Sequence, residues 1–166
     1  SGITGDGNPS SFSPSGLPLA IPDNITPGLD ADIVVSGIGT NAMLSSICLE
    51  LEHSWTGDLT ITLMNPTGTS VTLMNRPGSV GGIGAGCSQD NVLATIVPGT
   101  GNDMEDSCAV GASYAILGTF TAHAGDDISN LNGADPNGTW IVSVVDSAGA
   151  DVGSLVSFSL NFGENG

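Results

Sequence analysis

Lysine is absent from this chain, and Arg76 is the only arginine set against seventeen acidic residues, giving a net charge of −16. A surface of that sign repels phosphate backbones and anionic lipid headgroups, so neither nucleic acid nor a membrane surface is expected as a partner. Aromatic residues are scarce: two Trp, one Tyr and four Phe. Few rings are therefore available as stacking platforms for sugars. No apolar run reaches the roughly 18 residues that a membrane helix needs. The first residues have neither the basic start nor the apolar stretch of a signal peptide, so a leader is expected to have been removed, or the piece excised from a longer precursor. Catalytic signatures are missing as well. No Gly-x-Ser-x-Gly elbow occurs, no HExxH and no CxxC. His53 and His123 are the only imidazoles, and neither lies beside a serine signal, so no catalytic residue is assigned.

What is abundant is turn chemistry. Twenty-five glycines and nine prolines in 166 residues suit many short strands joined by tight turns. Residues 1–16 are rich in Gly, Ser and Pro and read as a linker leading into one domain over residues 17–166. Beyond them a period of two recurs. Ile47, Leu49 and Leu51 alternate with Glu50 and Glu52, and Leu59, Ile61 and Leu63 alternate with Thr60 and Thr62. Val71 and Leu73 follow the Asn65–Gly68 turn; Trp140, Val142 and Val144 form another row, and Val156, Phe158, Leu160 and Phe162 the last. Such alternation marks half-buried antiparallel strands. With weaker candidates near residues 33–36, 92–97 and 114–119, about eight strands are expected, an all-β antiparallel sandwich or jelly roll.

The three cysteines are Cys48, Cys87 and Cys108. Cys87 and Cys108 bracket a long Gly- and Asp-rich loop that gains from a staple, and that pairing requires an oxidising compartment. Cys48 is left as a free thiol on the outward parity beside Glu50, where partial cover by a loop or a partner domain is expected. Inside the stapled loop and next to it stand Asp90, Asp103, Glu105 and Asp106. Clustered carboxylates on a Gly-rich loop can hold calcium, a hard cation that takes oxygen ligands. The alternative is an acidic loop that is merely solvated. The spacing is not that of an EF-hand.

Several motifs carry a family resemblance. Ile21-Pro22-Asp23-Asn24 opens the set, and His53-Ser54-Trp55-Thr56-Gly57-Asp58 leads into Leu59–Leu63. Pro66-Thr67-Gly68-Thr69, Asn75-Arg76, Asn137-Gly138-Thr139-Trp140 and Gly153-Ser154-Leu155 complete it. In order and spacing these resemble the P domain (P/Homo B domain) of proprotein convertases and of bacterial secreted subtilisin-like proteases. The resemblance spans about residues 12–163. It implies a galactose-binding-like jelly roll without catalytic machinery that supports folding and stability of a neighbouring protease domain and in some cases contacts protein substrate. It also implies a secreted, extracellular setting and favours calcium. Where eukaryotic members commonly read Arg-Gly-Asp, this chain reads Thr56-Gly57-Asp58, which removes the basis for integrin-like adhesion. The Cys87–Cys108 pair resembles the bacterial branch.

Physical roles can be set beside the motif. Asp58 suits a turn carboxylate that accepts backbone N–H groups. Gly68 and Gly138 suit positive φ. Trp140 suits the core, and His53, on apolar parity, suits a structural histidine bonded to backbone. Trp55, in a turn, is the one candidate for an exposed binding platform. A monomer is expected. The competing reading is a stand-alone protein- or carbohydrate-binding or adhesive module of a secreted or surface protein, for which an exposed aromatic would be the signature.

Overall fold

A computed structural model describes residues 10–25, 28–77 and 87–163. Among these residues, ten strands form two sheets. They are β1 (Ser10–Phe12), β2 (Leu19–Ile21), β3 (Leu29–Val35), β4 (Met43–His53), β5 (Leu59–Met64), β6 (Ser70–Asn75), β7 (Val92–Ile96), β8 (Ile116–Phe120), β9 (Gly138–Asp146) and β10 (Gly153–Gly163). The larger sheet runs β1-β10-β4-β7-β8, with β2 also paired to β10; the smaller runs β3-β9-β5-β6. The two face each other as the expected sandwich.

The period of two decides what lies between the sheets. Ile47, Leu49 and Leu51 of β4 and Leu59, Ile61 and Leu63 of β5 are buried, as are Trp140, Val142 and Val144 of β9. Trp140 meets Phe162 edge-to-face at 5.6 Å, and its indole N–H donates to the Pro136 carbonyl at 2.8 Å. A buried indole thus keeps its one donor satisfied.

Three expectations need correction. The inward row of β10 is Leu155, Phe158, Leu160 and Phe162 rather than one starting at Val156. A register shift against β4 between Leu155 and Ser157 inserts one residue, and one extra residue turns the following parity to the other face. Ser10–Phe12, inside the stretch read as a linker, pairs with β10, and the Phe12 ring sits 6.0 Å from Phe162. The sheets are also not wholly antiparallel, because β8 runs parallel to β7. A parallel neighbour needs a crossover, and here the segment between β7 and β8 makes it.

Candidate functional site

A buried polar cluster lies at one end of the sandwich, where the β4–β5 and β9–β10 turns meet. His53 ends β4 on its inward parity and is buried. Its Nδ1 accepts the Trp55 N–H at 3.1 Å, which leaves the proton on Nε2 to be donated to Asp146 Oδ2 at 3.0 Å. Both side chains are fully shielded from solvent. The backbone bond expected of His53 is present, and the sequence reading missed its second partner, Asp146. The signal was there: Asp146 continues the inward parity of Trp140, Val142 and Val144. With both ring nitrogens engaged and no solvent access, His53 is placed to hold two turns together and not to relay protons.

Asp58 closes the 3₁₀ turn Thr56–Asp58 beside this pair. Its N–H donates to the Trp55 carbonyl and its own carbonyl accepts from Ser147, at 3.1 and 2.9 Å. These links to the neighbouring turns run through the backbone of Asp58, where the carboxylate was expected to do the work. Burial pushes its carboxyl above the ordinary range, the charge of Asp146 adds to this, His53 opposes it, Asp151 raises it further and Arg76 lowers it. Arg76 itself donates from Nε to the Gly57 carbonyl at 3.2 Å. The opening motif joins the same end: Asp23 accepts the Ala150 N–H at 3.2 Å, and Asn24 takes a positive φ of 52° to turn the chain there. The family-like residues Asp23, Asn24, His53 and Asp58 therefore share one end of the fold because they bind its turns to one another.

Gly138 and Gly68 hold another pair of elements. Gly138 has φ 137°, and a Cβ there would lie 2.9 Å from the Pro66 Cβ. Gly68, at φ 92°, closes the turn of which Pro66 is part. Trp55 is half-buried, and no aromatic residue of the chain falls among the exposed ones.

The staple forms as expected, joining Cys87 to Cys108, with Cys48 free and exposed. Of the acidic set, Asp90 and Asp103 do not come together, and the side chain of Asp106 lies outside what the structure describes. The Asp90 carbonyl receives the Ala115 N–H just before β8 begins, whereas Asp103 bridges to Thr121 just after β8 ends. At about 3.3 Å per residue this puts roughly 20 Å between them. Among the described residues no three His, Cys, Asp or Glu side chains converge as a metal site. Asp103 and Glu105 nevertheless each keep one carboxylate oxygen, Oδ1 and Oε1, buried without a hydrogen-bond partner. Glu105 Oε2 accepts from Asn75 N–H at 2.7 Å and from His123 Nδ1 at 2.6 Å. Two orphaned anionic oxygens on one short segment suit a hard cation, and Asp90 takes no part in that arrangement.

A β-sandwich whose motif residues tie turns together is the class that geometry defines. The model of the proprotein convertase P-domain family matches residues 45–92, the stretch that carries the His53–Leu63 run, the Pro66–Thr69 turn and Arg76. The resemblance read from the sequence is borne out there. The chain is 26% identical over 143 residues to leupeptin-inactivating enzyme 1 of Streptomyces exfoliatus, covering 86% of this chain and 24% of that protein. It thus spans about a quarter of the length of that curated relative. Among solved structures, the serine protease of Aeromonas sobria in complex with the chaperone ORF2 aligns over 96% of this chain and 27% of its own, with a TM-score of 0.54 and 16% identity. The Aeromonas sobria protease alone aligns over 95% and 26%, with a TM-score of 0.51 and the same 16% identity. At that identity these two structures show a shared fold. Among the described residues no helix is long and apolar enough to cross a membrane.

Proposed function

We propose that this chain is the accessory P domain of a secreted bacterial subtilisin-like or related protease, acting by stabilising the catalytic domain and contacting its protein substrate. The observation that carries this reading is the combination of the P-domain match at residues 45–92 with alignments that cover most of this chain but only about a quarter of each matched protein, among them a serine protease. The Cys87–Cys108 disulfide supports an extracellular setting. Calcium belongs to the same reading through the orphaned oxygens of Asp103 and Glu105. The carbohydrate-binding alternative would draw on an exposed ring; Trp55 is half-buried, and no aromatic residue falls among the exposed ones.

The test is to express the polypeptide that carries this domain with and without residues 10–163. The truncated form is expected to refold with a lower yield of active protease, and adding the isolated domain in trans should restore part of it. Equal yields and equal thermal inactivation of the two forms would overturn the reading.

A further inference from the structure

The outward surface of the larger sheet is unevenly charged. The outward positions of β7 and β8 are Leu93, Thr95, Leu117 and Thr119, and none carries charge. Leu93 and Leu117 are direct register partners across the parallel pair, and they are 38% and 63% exposed. With Cys48, Thr95 and Ser157 they line a shallow depression of about 380 Å³. A second depression of about 320 Å³, along Cys108, Ala109 and Tyr114, shares Leu117. The other exposed large apolar residues, such as Val110 and Val152, do not stand in register with one another in this way. On a chain of net charge −16, two adjacent exposed leucines on an uncharged field mark a surface built to be covered. The smaller sheet shows the contrast, since the outward positions of its edge strand β3 include Asp30 and Asp32, a common way to keep an edge from pairing.

Charge at the border says what kind of cover fits. Glu50 is the register partner of Leu93, its carboxylate is held by the Tyr114 hydroxyl at 2.8 Å, and Glu52 follows on the same parity. A second copy of this chain would bring more acidic charge against both. Cys48 adds an independent observation. It is an exposed thiol in a chain whose other two cysteines are oxidised, and in an oxidising compartment an open thiol is consumed unless something shields it.

We propose that this β4–β7–β8 face is the seat of the companion protease domain of the same polypeptide. That domain would set an apolar side chain against Leu93 and Leu117, with Arg or Lys opposite Glu50 and Glu52. The proposal rests on the accessory-domain reading and deepens it.

Cys48 serves as the built-in reporter. Its maleimide labelling is measured on the isolated chain and on the whole polypeptide, with melting of the two domains followed in parallel. Labelling in the whole polypeptide is expected to be slower by about tenfold or more, the protection of a site that must open before it reacts. Leu117→Glu should restore fast labelling without lowering the Tm of the isolated chain. Val152→Glu, on the β9–β10 turn, should leave the protection intact. Domains that melt together while Cys48 labels at its full rate would show that the contact lies on another face, and this proposal would fail alone. Domains that melt independently would overturn the accessory reading and this face with it.

Discussion

At the residue scale, Asp58 in the turn cluster ties stability to pH. Asp58 titrates above the ordinary value of 3.8, so the native state holds its proton more tightly than the unfolded chain does. Stability linked to this group is therefore present at low pH and is lost as pH rises through the raised value. Asp58→Asn removes that slope. Its stability relative to the parent chain should climb between about pH 3 and pH 7 in paired denaturant titrations; a difference that stays flat would show that Asp58 is not strained by its burial. Asp127 has the opposite sign. The Gly99 and Ser129 N–H groups hold its carboxyl below the ordinary range, so its contribution is present above the unfolded value and disappears as pH falls through the lowered one. Asp103 and Glu105 supply a second residue-scale expectation. Calcium should raise the Tm more than magnesium at matched ionic strength, because the smaller ion demands a tighter octahedral shell. Asp103→Asn should abolish the difference, and equal shifts from both ions in the parent chain would reduce the effect to screening.

At the scale of elements, the Gly138–Pro66 contact and the staple are the points where one change undoes a local arrangement. Gly138→Ala combines a positive φ with a Cβ placed 2.9 Å from Pro66. Strain of that kind costs about 1–3 kcal/mol, and a melting curve within experimental error of the parent would contradict the close approach. Replacing Cys87 and Cys108 together by Ala opens a loop of 21 residues. Loop-closure entropy puts the loss at about 3 kcal/mol, or roughly 6–12 °C in Tm for a domain of this size. What was legible in the sequence follows from these same elements. Strands with clean alternation, such as β4, β5 and β9, announce their inward faces because burial imposes a period of two. In β10 the alternation misled, because the register shift near Val156 is set by the fit against β4 and leaves no mark in composition. β1 was hidden for a similar reason: Ser10–Phe12 is too short to show a period, and only Phe12 against Phe162 reveals its place. His53 was readable as structural; its partner Asp146 was masked by the habit of placing an acidic residue outside. The acidic stretch was over-read, since sequence proximity of Asp90 to Asp103 ignores the β7–β8 ladder that holds them apart.

At the scale of the whole molecule, a net charge of −16 with a single cation means that the fold works against its own repulsion. Added sodium chloride should therefore raise the Tm steadily until the Debye length falls to about 8 Å, near physiological ionic strength, and more gently beyond. A Tm indifferent to salt would mean that bound cations already neutralise the surface. The uncharged outward positions of β7 and β8, Leu93 and Leu117 among them, should contribute little to this salt response, which arises from the carboxylates around them.

The pairing of Ser10 with Phe162 places the way into the sandwich beside the way out. Directly opposed antiparallel residues sit about 5 Å apart at their Cα atoms, so the fold has, in effect, a single doorway. A unit of this kind can be spliced into a surface loop of an unrelated host without prising the loop open, or have its old ends joined and new ones cut elsewhere. Sewing residue 163 to residue 10 through a short Gly/Ser bridge and reopening the chain at the exposed Gly37 turn should give a permuted molecule with the same two sheets.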